Sequence, residues 1–288
     1  MTEISASLVK TLRAMTGLGM MDCKKALAEA GGDLKKAEAL LRIRSGAKAS
    51  KAAARVAAEG VIAAYLAPDA RCGALVELNC ETDFVAKNED FVAFGARLAR
   101  LAAERAPADA AALAALEDVE AQRQALVQRI GENIAIRRLA RMQTAAQLAL
   151  YVHGGRIGVL VEYEGAPEVG KDVAMHIAFA RPPYLSAAQV PAEVVARERE
   201  ILAARAREAG KPEPIAAKMV EGGLAKFLAE TTLLGQPFVK DDKLSVGKML
   251  EAKGARVLDY RFLVLGEGIE KKASDFAADV MAAASAAR

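Results

Sequence analysis

Apolar side chains recur at helical spacing through the first 46 residues. Ile4, Leu8, Val9, Leu12 and Met15 form one stripe, the spacing of an amphipathic helix, with Ser5 or Ser7 placed to cap it. Thr16-Gly17-Leu18-Gly19 ends it. A second helix is predicted from about Met20 to Ala30, where Gly31-Gly32 breaks the pattern, and Asp33 opens a third that buries Leu34, Ala37, Leu40 and Leu41. So small a core is marginal by itself, and three short helices joined by glycine turns suit docking better than catalysis. The Ala/Lys-rich stretch from Ser45 to Glu59 reads as a helical, basic connector.

Beyond it the period changes from helix to strand, and the pattern occurs twice. Gly73-Ala-Leu-Val-Glu-Leu-Asn79 matches Gly158-Val-Leu-Val-Glu-Tyr-Glu164. Ala74, Val76 and Leu78 alternate in the first copy, and Val159, Val161 and Tyr163 in the second, each predicting a strand with one buried face. An apolar run precedes each across a polar turn, Val61–Leu66 before Pro68-Asp69 and Leu148–His153 before Gly154-Gly155. A helical pattern follows each, Asp90–Ala103 and Lys171–Ala180. A third strand closes each half, near Ile134–Leu139 and near Val257–Leu265, where Leu258, Tyr260, Phe262 and Val264 are expected on one face. The fold class is therefore α+β: two related subdomains, each a small antiparallel sheet covered by helices.

The second copy carries an insertion over residues 191–234. Pro191–Ala209 and Pro214–Leu234 read as two helices joined at Gly210-Lys-Pro-Glu-Pro214, a hairpin with Val195, Leu202, Ile215, Met219, Leu224, Phe227 and Leu228 as its apolar positions. Gly266-Glu-Gly268 reads as a hinge before a tail helix, capped at Ser274 or Asp275, with Phe276 and Val280 on one side. That helix either folds back on the body or projects as an arm. The expected organisation is 1–55, an amino-terminal three-helix module with the start of its connector; 56–145 and 146–265, the two subdomains; and 266–288, the carboxy-terminal helical module.

Composition narrows the function classes. Among 288 residues 53% are hydrophobic and 27% charged, enough for a core and too apolar for wholesale disorder. The net charge of +3 is not the excess of a dedicated nucleic-acid binder. Residues 1–55, however, hold eleven basic against five acidic side chains, a basic block open to an acidic partner, RNA or the ribosome, or to being a solvated helical face. Cys23, Cys72 and Cys80 are an odd set without framework spacing, which fits a reducing compartment. With only His153 and His176 beside them, a tetrahedral zinc site is not expected. The opening MTEISASL lacks a basic-then-apolar leader pattern and no apolar run approaches the roughly 18 residues of a membrane span. The expectation is a cytoplasmic protein with no membrane contact.

Catalytic signatures fail on inspection. Gly165-Ala-Pro-Glu-Val-Gly170-Lys171-Asp172 has the glycine and lysine spacing of a phosphate-binding loop. Asp172 stands where a magnesium-binding hydroxyl belongs, Pro167 has no N–H to offer phosphate, and Glu168 adds negative charge. Gly17-Leu-Gly19 lacks the third glycine of a dinucleotide loop. His153, at a strand-to-turn junction, suits a surface or partner contact. The unusual segment is Cys80-Glu-Thr-Asp-Phe-Val-Ala-Lys87, where strand alternation stops and an aromatic falls in a connection. Thr82 and Asp83 are helix-capping types, and Asp83 would fix the loop so that Phe84 projects. Spacing alone favours the other arrangement, with Phe84 turned back into the core. Met20-Met21, a soft apolar pair at a helix start, is a second contact candidate.

Taken together these residues resemble the bacterial elongation factor Ts family over essentially the whole chain. The match runs through Ile4–Lys10, Thr16-Gly-Leu-Gly-Met-Met-Asp-Cys-Lys24, Thr82-Asp-Phe-Val-Ala-Lys87, Ile130-Gly-Glu-Asn-Ile134, His153-Gly-Gly-Arg-Ile-Gly-Val-Leu160, Gly235-Gln-Pro-Phe-Val239 and Gly266-Glu-Gly-Ile-Glu270, and Asp275-Phe-Ala277 in the tail. The resemblance implies a guanine-nucleotide exchange factor that binds GDP-loaded or nucleotide-free elongation factor Tu, with no enzyme chemistry and no cofactor. It implies that residues 1–55 are a ubiquitin-associated-like module, that Thr82, Asp83, Phe84 and Val85 dislodge the partner's magnesium, and that Met20, Met21, His153 and Val239 are contact positions. Ile130 is a weaker contact, and the tail with Phe276 returns to the same GTPase. The family also allows a two-plus-two assembly through self-association of the core, and implies no direct sequence-specific nucleic-acid binding. The hairpin is that of the longer members. Two other functions stay open at this point: an RNA- or ribosome-binding module using the basic block, and, more weakly, a nucleotide-binding enzyme using Gly165–Asp172.

Overall fold

The computed structural model describes residues 4–210 and 212–270. Helix α1 (Ala6–Thr16) starts at Ser5, whose hydroxyl accepts the Leu8 N–H, and stops at Gly17. Helices α2 (Met20–Glu29) and α3 (Leu34–Ala52) follow, the latter capped by Asp33 through the Lys36 N–H. Val9, Leu12, Leu18, Cys23, Ala26, Leu27, Ala37 and Leu41 close a small core among the three.

Two three-stranded antiparallel sheets follow. The first holds β1 (Glu59–Leu66), β2 (Cys72–Cys80) and β3 (Ala135–Gln143) in the order β1-β2-β3; between β2 and β3 lie α4 (Asp83–Ala86), α5 (Glu89–Arg105), α6 (Ala110–Ala114) and α7 (Glu117–Ile130). The second holds β4 (Gln147–His153), β5 (Ile157–Glu164) and β8 (Arg256–Val264) in the order β4-β5-β8. Within it come α8 (Pro167–Ala180), the hairpin α9 (Ala192–Glu208) and α10 (Glu213–Thr231), the short strands β6 (Pro237–Phe238) and β7 (Asp241–Ser245), and α11 (Val246–Ala252). The fold is α+β, as expected.

Three expectations are corrected. The connector is not a separate element: α3 is one 19-residue helix running on past Gly46, and the chain leaves it through a turn at 53–55. Its far end stays helical because Ala49 and Ala52 are buried in the first subdomain's core, while Lys48 Nζ donates to the carbonyl of Gln128 on α7 at 2.9 Å.

The strands β2 and β5 are covered on both faces, not one. Ala74, Val76 and Leu78 face Phe91, Phe94 and Leu98 of α5, and Val159, Val161 and Tyr163 face Val173 and Ile177 of α8. The opposite faces stack on each other: Ile62, Leu75, Leu148, Leu160 and Leu263 form one buried cluster between the sheets. Burying each such aliphatic side chain is worth about 1.5–3 kcal/mol. Alternation in one strand carries no signal for this second partner.

The face of β8 is also corrected. A register shift at Glu162/Tyr163 leaves Tyr163 opposite Val257 and Glu162 opposite Asp259, so a bulge at Leu258 breaks the period of two. Val257 thereby joins Tyr260 and Phe262 on the α8 side.

The segment 165–172 is no loop. Helix α8 begins at Pro167, in its first turn with Glu168, where a missing N–H is harmless and a negative charge is favoured. Gly170 lies inside the helix, against the Tyr163 ring, where a Cβ would collide with ring carbons. Its glycine serves close helix–strand approach, not phosphate. In the hairpin, α9 and α10 approach at Gly223, against Leu202, and Leu224 is buried while Ile215 and Met219 stay exposed.

Candidate functional site

Strand β2 ends at Cys80, buried, with its thiol pushed up to about 12 by burial and, secondarily, by the carboxylates of Glu132 and Glu59. Such a thiol is inert. It points at the Thr82 carbonyl, 3.1 Å away. Thr82 is extended (φ −120°) and caps the single turn of α4, accepting the Val85 N–H at 3.4 Å. Its hydroxyl donates to Glu132 Oε1 at 2.6 Å. The other oxygen of Glu132 accepts the backbone N–H groups of Glu81 (2.9 Å) and Thr82 (3.0 Å).

The next residues divide between inside and outside. Asp83 is joined to Lys87 at 2.8 Å, and that bond holds its carboxyl below the usual range. Val85 packs against the first core. Phe84 is 80% exposed. The expectation from spacing alone, that Phe84 turns inward, is not met: in a one-turn helix adjacent residues point about 100° apart, and Val85 takes the inward place.

A second set of bonds ties this turn to the rest of the molecule. Arg55, just beyond α3, meets Glu81 at 3.0 Å and donates to the Gly131 carbonyl at 2.8 Å. Asn133 Nδ2 donates to the Arg55 carbonyl at 2.7 Å, and its backbone N–H donates to Glu81. The turn after α3, the turn at 81–86 and the loop after α7 are therefore one hydrogen-bonded unit.

The remaining expected residues are distributed over other elements. Met20 and Met21, at the start of α2, are 59% and 62% exposed beside a shallow hollow lined by Ile4, Val9 and Lys24. Ile130, at the end of α7, is half-buried against the first core. His153 is exposed at the end of β4, with its Nδ1 at 3.1 Å from the Tyr151 hydroxyl. Val239 is 41% exposed, and its backbone N–H donates to Nδ1 of the buried His176 at 3.2 Å. Because Nδ1 accepts, the proton is on Nε2, which donates to Gln236 Oε1 at 3.0 Å; burial lowers the pKa of this imidazole. Phe276, the caps at Ser274 or Asp275, and Val280 lie outside the described residues. Among the described residues no group of three or more His, Cys, Asp and Glu is placed to hold a metal ion, and no helix is long and apolar enough to cross a membrane.

A family model described as elongation factor TS matches residues 81–267. A protein named elongation factor Ts from Bordetella petrii is 59% identical over 288 residues, spanning 99% of both chains. The elongation factor Ts of Nitrosomonas eutropha is 57% identical over 98% of each chain. That of Cupriavidus taiwanensis is 56% identical, covering 100% of this chain and 99% of its own. The chain belongs to the elongation factor Ts family. As a member of that family it is a translation elongation factor.

The residues that the sequence did not single out are the ones beneath the exposed contacts. Glu132 sits in the Ile130–Ile134 segment that carried the family resemblance, yet nothing local connects it to Thr82, 50 residues away. Arg55 counted only as one of the basic block of residues 1–55, and Glu81 only as a member of the Cys80–Lys87 segment. His176 left one faint signal, a polar residue on the apolar stripe of α8 with Val169, Val173 and Ile177.

Proposed function

We propose that this chain is the guanine-nucleotide exchange factor of elongation factor Tu. It binds the GDP-loaded GTPase, displaces the bound magnesium with the Thr82–Val85 turn, and promotes release of GDP and its replacement by GTP. The observation that carries the reading is the exposed Phe84 ring on a turn held by hydrogen bonds. Covering such a ring with a partner's surface takes apolar area out of water and is favourable. An exchange factor makes and breaks no covalent bond. It has to bind the pried-open partner more tightly than the filled one, and by linkage it weakens GDP by the factor by which GDP weakens it.

Met20, Met21, His153 and Val239 are the further contacts in this reading, and Ile130 is a weaker one. Residues 1–55 act as the docking module, 56–145 and 146–265 as the two bodies, and 266–288, with Phe276, as a carboxy-terminal contact. The working compartment is the cytoplasm, and one or two copies of each partner assemble. The RNA-binding reading is weaker because Arg42, Arg44 and Arg55 of the basic block are paired with Glu117, Glu29 and Glu81.

Stopped-flow release of fluorescent GDP from elongation factor Tu tests the proposal. The chain should accelerate release, and Phe84→Ala should cut the acceleration by about tenfold or more, the loss of a buried aromatic contact. Absence of acceleration by the unaltered chain would refute the exchange function; acceleration that is indifferent to Phe84→Ala would remove the wedge.

A further inference from the structure

We infer that Glu132 is the positioning residue of the exchange turn: its carboxylate sets the direction in which Phe84 projects. The inference rests on the exchange reading for its functional consequence, though not for its structural one.

A helix of four residues has no stability of its own, since nucleation costs more than one turn of hydrogen bonds returns. Its cap is weak here, with the Thr82 hydroxyl 3.4 Å from the Val85 N–H. Phe84, 80% exposed, contributes little internal packing. Val85 and Ala86 pack on the first core, which sets the inward side; the polar restraint at the start of the turn is Glu132, on which three donors converge: the consecutive backbone N–H groups of Glu81 and Thr82 on one oxygen and the Thr82 hydroxyl on the other, at 2.9, 3.0 and 2.6 Å. Hydrogen bonds to a carboxylate are stronger than those between neutral groups, and three of them from two adjacent residues fix orientation as well as position.

The base of this clamp is itself held. Gly131 ends α7 in the left-handed region (φ 91°), its carbonyl is taken by Arg55, Asn133 bonds both Arg55 and Glu81, and Ile134 is fully buried. Glu132 therefore projects from a fixed loop onto the start of the turn. Holding the ring ready lowers the ordering cost of the pried-open complex. First docking uses surfaces elsewhere on the chain and does not need the ring in place. Loss of the clamp should then reduce the maximal release rate more than the affinity.

Glu132→Gln is the test, because it keeps the size of the side chain but removes the negative charge that strengthens the bonds to the two N–H groups and the Thr82 hydroxyl. In the full-length chain, hydrogen exchange at the Glu81 and Thr82 amides should speed up by about tenfold or more relative to the rest of the molecule. With the GDP-loaded GTPase, the maximal stimulated release rate should fall about tenfold while the half-saturating concentration moves less than about threefold. The Phe84→Ala/Glu132→Gln double variant should be little slower than Phe84→Ala alone, since misdirecting a ring that is absent costs nothing further. Unchanged exchange at the two amides overturns the inference, as do wild-type release by Glu132→Gln or multiplicative effects in the double variant. Loss of protection throughout the chain would make Glu132 a folding residue and overturn it equally. If the unaltered chain fails to stimulate release, the exchange reading falls while the amide measurement still decides the clamp.

Discussion

At the scale of single residues, Phe84 and His176 are opposites. Phe84 is kept in water by a turn that spends its inward position on Val85, so removing the ring should leave folding almost untouched. Phe84→Ala is expected to change the unfolding free energy by less than about 0.5 kcal/mol, as read from urea midpoints, although it slows stimulated GDP release. A large loss of stability would mean the ring is packed. His176 is sealed in and neutral, with Nδ1 accepting the Val239 N–H and burial lowering its pKa from 6.5. The unfolded chain then binds the proton more readily than the folded one. The stability this histidine contributes is complete above pH 6.5 and declines as pH falls toward the lowered folded value. The pH dependence of unfolding should show that decline in the native protein and lose it in His176→Gln; a titration near 6.5 followed by NMR in the folded state would contradict it.

At the scale of elements, most of the structure was legible in the periodicity of the chain. Ser5, Asp33, Gly17 and the repeated strand pattern placed helices and strands close to where they lie, because caps and alternation act over a few residues. The errors fell where a distant partner overrides local pattern. Helix α3 runs on because the first core covers Ala49 and Ala52, and β8 changes face because a bulge at Leu258 shifts its parity against β5. The glycine-lysine motif before α8 was a helix start with a packing glycine inside it. Gly170→Ala should therefore push on the Tyr163 ring and destabilise the chain by about 1–3 kcal/mol, measurable by thermal or urea unfolding. A neutral result would show that the ring can retreat without cost.

The whole molecule is joined by contacts between the two sheets and by one buried carboxylate. Glu77 of β2 is fully buried. It pairs with Arg137 at 3.0 Å and with Arg138, adjacent residues brought to one target by the bulge at Glu77/Leu78. It also accepts the Gly266 N–H at 2.8 Å, so the segment expected to be a hinge is bonded to the first sheet at its start. Burial would raise the pKa of Glu77, but the Gly266 N–H and the two arginines outweigh it and lower the value below 4.5. Its stabilising contribution is thus present above that pH and lost in acid as the carboxylate is protonated. Glu77→Ala takes one partner from each of two arginines, although Arg138 keeps Glu267, and should cost about 1–3 kcal/mol in urea unfolding at neutral pH. Leu75→Ala, in the cluster between the sheets, should cost about 2–5 kcal/mol.

The amino-acid order by itself determined the helices, the strand pairs, the repeat and the family, because these depend on neighbours a few residues apart or on motifs read whole. Only the tertiary structure decided that the two sheets stack face to face, that Val85 and not Phe84 turns inward, and that Glu132, Arg55 and Glu77 hold surfaces they are remote from in sequence. A carboxylate has no period and no preferred spacing. Its role is set by which donors the folded backbone brings to it, and for Glu132 and Glu77 most of those arrive from 50 residues away or more.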